Sequence, residues 1–145
     1  MGSKARPRGV RLAELAARQH GVVSVRQLHA LGYGEGSIAK GVRGGRLHRL
    51  QRGVFAVGHI NLTKHGRCLA AVLACGPDAL LSHGSAAWLW GLARTFPVPV
   101  HVTAPISRGP RRSVVLHRSR ILAAEDRALE EEVPVTALPR TFLDL

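Results

Sequence analysis

Between Arg46 and Val57, two β-prone runs flank the short turn Arg52-Gly53: Arg46-Leu47-His48-Arg49-Leu50-Gln51 and Val54-Phe55-Ala56-Val57. Such runs around a glycine turn predict a hairpin. What precedes them narrows the fold. Leu12, Leu15, Ala16 and Gln19 recur at helical spacing and predict a helix from about Val10 to Gln19, stopped by Gly21. Ser24 with Gln27 three residues later is a capping-box pattern. It opens a second helix that carries Val25, Leu28 and Leu31 and ends at Gly32. A third helix is expected over 35–43, with Ile38 and Val42 as its core pair and Gly44-Gly45 as its stop. Three short helices followed by a hairpin is the element order of a winged helix-turn-helix. The helix-turn-helix falls on 24–43 and the wing on 46–57.

Strand periodicity makes a finer prediction. Arg46 and His48 face one way, Leu47 and Arg49 the other. Leu47 and Leu50 cannot share a face in a regular strand, so a bulge is expected near Arg49.

The charge distribution follows the same division. The chain carries a formal net charge of +12, of which the first 67 residues hold +11 and the remaining 78 only +1. A basic half beside a neutral half points to a face built for a polyanion. DNA, RNA and an anionic membrane surface all satisfy that condition. The membrane reading is the weakest, because no basic amphipathic helix with a bulky apolar face is present. No apolar run approaches the ~18 residues of a membrane span. The basic N-terminus is followed by no apolar signal core. Hydrophobic residues make up 46% of the chain, with only six aromatics, so a core of Leu, Val, Ile and Ala is expected. Cys68 and Cys75 lie seven apart in one apolar stretch, too far to bridge along a helix. They read as buried thiols of a reducing, cytoplasmic setting.

The second half, residues 59–145, reads as a small α/β domain, and residues 1–9 read as a flexible basic arm. The fold class expected for the whole is therefore α+β. Thr63 is placed to cap a helix through Ala74, and Ser82 another through Trp90. Strands follow at 98–103 and 113–117, joined by the basic loop 107–112. Residues 125–134 are acidic and read as a surface turn region. A last helix is expected from Pro139. Its apolar pattern runs to Leu145, which reads as a longer protein cut short or as an end that packs on a partner.

Candidate chemistry concentrates on the wing. Arg43, Arg46, His48, Arg49 and Arg52 fall within ten residues, where a winged helix meets DNA phosphate. In the third helix Ser37 and Lys40 are placed to read base edges or phosphate, with Gly41 on the same solvent face. Arg26 and Gln27 stand at the start of the second helix, in position for a phosphate. Few long side chains project from the third helix, which predicts DNA binding more than sequence-specific reading. The eight histidines and two cysteines show no zinc-ligand spacing, and His65 with Cys68 is a lone i, i+3 pair. Gly84-Ser85-Ala86 is not a nucleophile elbow. Glu125, Asp126 and Glu130 to Glu132 read as a solvated acidic patch. Trp88 and Trp90 read as core or interdomain contacts. No catalytic residue, metal or cofactor is expected.

The strings GVVSVRQL and GRLHRLQRGVFAVG, within 21–58, resemble the N-terminal winged helix of AbiEi-like antitoxins of type IV toxin–antitoxin systems. The resemblance continues through Leu81-Ser82-His83, Leu89-Trp90-Gly91, His101-Val102-Thr103, His117-Arg118-Ser119 and Arg140-Thr141-Phe142-Leu143-Asp144-Leu145. It implies a winged helix that binds promoter DNA and represses its own operon, followed by an α/β domain that neutralises a nucleotidyltransferase-like toxin. Many relatives instead carry a further domain resembling restriction-endonuclease-like nucleases. Three expectations stay open on this reading: a DNA-binding regulator, a toxin-neutralising interaction module, and the DNA-targeting front of a nuclease. A homodimer would suit a palindromic site.

Overall fold

The computed structural model describes residues 6–107, 109 and 111–145. The first five residues of the expected arm, and Arg108 and Pro110 of the basic loop, lie outside the described residues. The expected arm otherwise gives way to helix. Pro7 caps α1 (Arg8–Arg18), its carbonyl accepting from the N–H groups of Val10 and Arg11. A strand the sequence reading did not foresee, β1 (Val22–Ser24), leads into α2 (Val25–Ala30). Both halves of the capping box form: the Gln27 N–H donates to Ser24 Oγ at 3.2 Å and the Ser24 N–H to Gln27 Oε1 at 2.9 Å. Then come α3 (Glu35–Arg43), β2 (Leu47–Gln51) and β3 (Val54–Val57). The strands form an antiparallel sheet in the order β1-β3-β2. With α1, α2 and α3 this is a winged helix.

The register of the wing follows side-chain parity. Leu47 pairs with Val57, His48 with Ala56 and Arg49 with Phe55, and the ladder shifts between Arg49 and Gln51. That is the expected bulge. It sets Gln51 opposite Val54, but Leu47 lies in the core of the helices and Leu50 packs half-buried against the larger core, so the two leucines do not come to share a face.

Helix α3 sits differently from the expectation. Ile38 is buried, but its core partner is Gly41, while Val42 is exposed. A Cβ on Gly41 would stand 2.9 Å from Leu47 Cδ1 and 3.1 Å from Leu47 Cγ. Leu47 thus occupies the space a side chain at 41 would need, and Gly41 is a packing residue rather than part of the solvent face.

The second half is built on a five-stranded mixed sheet in the order β6-β5-β4-β8-β7. Thr63 caps α4 (Lys64–Ala74), accepting from the Gly66 N–H at 3.0 Å. Gly66 brings α4 against the winged helix: a Cβ there would meet the His20 carbonyl at 3.0 Å. Next are β4 (Leu80–Leu81), α5 (His83–Leu89), β5 (Val100–Ala104) and β6 (Val114–Arg118). Ser82 precedes α5, but its hydroxyl makes no cap bond.

The acidic stretch is the clearest correction. It is not a surface turn region but a hairpin, β7 (Arg127–Glu130) and β8 (Val133–Thr136), preceded by a 3-10 turn at Ala124–Asp126. Val133 and Val135 are fully buried. The turn consists of Glu131 and Glu132 at φ +51° and +65°. A two-residue hairpin loop with both φ positive normally uses Asn-Gly, so two glutamates hide it. The last helix, α6 (Leu138–Asp144), starts one residue before the expected proline.

Two buried clusters result. One holds Leu12, Ala16, Val23, Leu28, Ile38, Leu47 and Phe55. The larger holds α4, the inner strands of the second sheet, and also Val22 and Val54. Cys68 and Cys75 are buried, unpaired thiols, and burial pushes the Cys68 thiol up to about 12. No helix among the described residues is long and apolar enough to cross a membrane.

Three stability measurements check this packing. Gly41→Val should destabilise by about 1–3 kcal/mol through overpacking against Leu47. Gly36→Ala, where a Cβ meets nothing within 4 Å, should stabilise by roughly 0.5–1 kcal/mol. Replacing Glu131-Glu132 by Asn-Gly should raise Tm, because each left-handed glutamate costs about 1–2 kcal/mol.

Candidate nucleic-acid interface

Helix α3 stands as a ridge between two clefts. Its exposed residues are Glu35, Gly36, Ala39, Lys40, Val42 and Arg43. On one flank, between α2, α3 and the wing, lies a cleft of about 420 Å³ lined by His29, Glu35, Ala39, Arg49, Arg52 and Phe55 among others. On the opposite flank a cleft of about 840 Å³ opens between α1, α3 and the start of β2. Arg8, Tyr33, Ser37, Lys40 and Arg46 line it, and no carboxylate does.

The fold brings five of the sequence candidates together around this ridge: Lys40, Arg43, Arg46, Arg49 and Arg52. All five are exposed. None of them takes part in an ion pair or side-chain hydrogen bond with the described residues. Arg49 lies over the Phe55 ring at 5.0 Å, a contact that the register pairing of these two residues dictates. The stack fixes the guanidinium beside α3 without neutralising it.

The other four candidates are differently engaged. Arg26 is exposed and shares a third cleft, of about 600 Å³, with Arg52 and Arg111. It faces the start of the second half rather than α3. Gln27 is occupied internally: its Oε1 accepts from Ser24 N and from Gln19 Nε2 at 3.0 Å, and its Nε2 donates to Gln19 Oε1 at 2.8 Å. Ser37 is half-buried and accepts from Arg8 Nη2 at 3.4 Å. His48 points to the opposite face from Arg49 and meets the Gly58 carbonyl at 3.3 Å.

Arg8 is the cation that the sequence reading left in the arm. Its Nη1 donates to the Gly32 carbonyl at 2.8 Å and its guanidinium lies 4.3 Å from the centre of the Tyr33 ring. Pro7 directly before an apolar helical pattern was the available signal, since proline favours the first turn of a helix.

The wing is tied to the second half as well. Gln51 clamps the backbone of Arg112, donating to its carbonyl at 2.7 Å and accepting from its N–H at 2.9 Å. A chain of rings runs from His20 through His65 to Trp88 and Phe96, and His20 Nε2 meets the Glu131 carbonyl at 2.7 Å. Trp90 donates to the Thr136 carbonyl at 2.8 Å. His65 is thus part of a ring stack. Among the described residues no three His, Cys, Asp or Glu side chains are grouped to hold a metal ion.

The first part of the chain is thus a winged-helix domain with a cationic surface on both flanks of its third helix. Residues 10–58 match the family model described as the transcriptional regulator, AbiEi antitoxin. The match covers about a third of the chain, and over that segment the resemblance to AbiEi antitoxins is shown. No curated protein matches the chain.

The geometry of Gln27 yields a direct test. Gln27→Ala removes one half of the capping box and should lower stability by about 1 kcal/mol. The DNA affinity of the folded variant should stay within about twofold of wild type in a gel-shift titration, because the amide is turned inward.

Proposed function

We propose that the protein is a DNA-binding transcriptional regulator of the AbiEi antitoxin type, which grips the backbone of duplex DNA through the two flanks of α3. The observation that carries this reading is the cluster of exposed cations Lys40, Arg43, Arg46, Arg49 and Arg52, without an ion pair among the described residues, around one helix of a winged-helix domain. The match of residues 10–58 to the AbiEi antitoxin family model supports it.

On this reading α3 enters the major groove and the wing straddles the neighbouring backbone. The exposed side of α3 offers little for direct base reading, since Gly36, Ala39 and Val42 occupy three of its six positions. Lys40 and Arg43 are the residues placed to reach bases or phosphates there. Arg46 holds one flank and Arg49 with Arg52 the other, so the contacts are mainly of the positioning kind. Arg8 adds a sixth cation on the Arg46 flank, and Arg26 extends the surface beyond Arg52. Gln27, Ser37 and His48 are supporting residues on this reading: one caps α2, one anchors Arg8, and one closes the base of the wing.

The test is a gel-shift titration against salt, using duplex DNA from directly upstream of the coding sequence. If five phosphates are neutralised, log K should fall against log salt with a slope of about −4.5. The double variant Arg46→Ala/Arg49→Ala should bind all sequences more weakly and lower the slope by about 2. A flat salt response, or a variant that binds as tightly as wild type, would sink the proposal.

A further inference from the structure

The five-stranded sheet carries a second polar cluster, far in sequence from the wing. His83 at the first position of α5, His101 in β5 and His117 in β6 pack together. The rings of His83 and His117 stack with centroids 3.7 Å apart, and those of His101 and His117 at 5.2 Å. His101 Nδ1 and His117 Nε2 lie 2.9 Å apart, so one ring donates to the other. On the other side His83 Nδ1 meets Ser82 Oγ at 2.9 Å, and that hydroxyl accepts from Thr103 Oγ1 at 2.7 Å. His83 itself holds a left-handed backbone at φ +53°, a conformation uncommon for side chains other than Asn, Asp and His.

The charged groups that face the trio come from α6. Asp144 acts on His83 and His117, and Arg140 on His83. Asp144 Oδ1 accepts from Arg140 Nε at 3.1 Å, while its Oδ2 is buried with no hydrogen-bond partner among the described residues. Arg140 also reaches Asp126 at 3.3 Å. A buried oxygen without a donor and three imidazoles in van der Waals contact form an arrangement poised on its protonation state.

We propose that His83, His101 and His117 form a proton-operated latch that holds α5 and α6 to the β5–β6 side of the sheet. The latch is closed when the rings are neutral. One added proton finds Asp144 Oδ2 as its counter-charge; a second places two imidazolium rings within a stacking distance and drives them apart. Burial lowers the affinity of all three rings for a proton, and the neighbouring histidines lower it further. The sign then follows. Rings that bind protons less readily when folded than when unfolded contribute stability that is full above the ordinary imidazole value of about 6.5 and is lost as pH falls below it. The loosening should be felt at α5 and α6 and leave the winged helix in place.

The experiment measures histidine ring titrations by NMR, thermal stability and amide exchange on the whole chain between pH 7.5 and 5, with and without a chelator. His83→Asn suits the left-handed backbone, and His117→Gln keeps an acceptor for His101; neither titrates. The three rings should titrate below the ordinary value, and amide protection should fall first in α5 and α6. Wild-type Tm should drop on acidification by about 3 °C or more beyond either variant. Rings that titrate at or above the ordinary value would overturn the proposal. So would variants that lose as much stability as wild type. A chelator-dependent profile would also overturn it, by assigning the trio to a metal.

Discussion

The three-stranded sheet β1-β3-β2 is the element on which both halves of the molecule rest, because its strands β1 and β3 are buried on both faces. Val23 and Phe55 pair across β1 and β3 and point into the helical core of the winged helix. Val22 and Val54, one position away on the same strands, point into the core under α4. All four are essentially inaccessible to solvent. At roughly 1.5–3 kcal/mol for each such side chain withdrawn from water, the sheet contributes to two cores at once. The winged helix is therefore not a bead on a linker. Gly66 against the His20 carbonyl and Gln51 on the Arg112 backbone add polar and close-packed contacts along the same seam.

That arrangement also sets the electrostatics of α3. The helix is pinned from beneath by Ile38 and by Leu47 packed over Gly41, so its opposite face is left outward. The parity of β2 then places Arg49 on the helix side of the sheet and His48 on the other. Cations left without carboxylate partners raise the local potential, and release of counterions on phosphate contact supplies affinity that depends little on sequence. Binding of that kind suits a helix whose exposed side includes Gly36, Ala39 and Val42.

Local pattern made much of this legible. The capping box at Ser24, the extent of α3 and the Thr63 cap each follow from residue chemistry within a few positions, whereas the bulge lies near Arg49 as expected but brings Leu47 and Leu50 to no common face. The parts that were not legible depend on partners distant in sequence. β1 is three residues long and buried on both faces, so it shows no alternation. β4 has two residues and exists because β5 and β8 flank it. The β7–β8 hairpin carries a Glu-Glu turn and an acidic run that mimic a solvated loop. The inward face of Gly41 is set by Leu47, which nothing in α3 itself reveals. The residues of the wing were found by charge alone, whereas Gln27, Ser37 and His48 needed hydrogen-bond geometry to be separated from them. The histidine trio comes from three different elements and leaves no spacing signal.

The most direct measurement of the central claim is a map of backbone amide shifts as duplex DNA from upstream of the coding sequence is added to the whole chain. The account predicts that the perturbed amides cluster in α3 and along β2 to the wing tip, from Gly34 to Gly53, with a second group at the start of α1. Perturbations confined to residues beyond Gly58, with α3 and the wing unchanged, would contradict it.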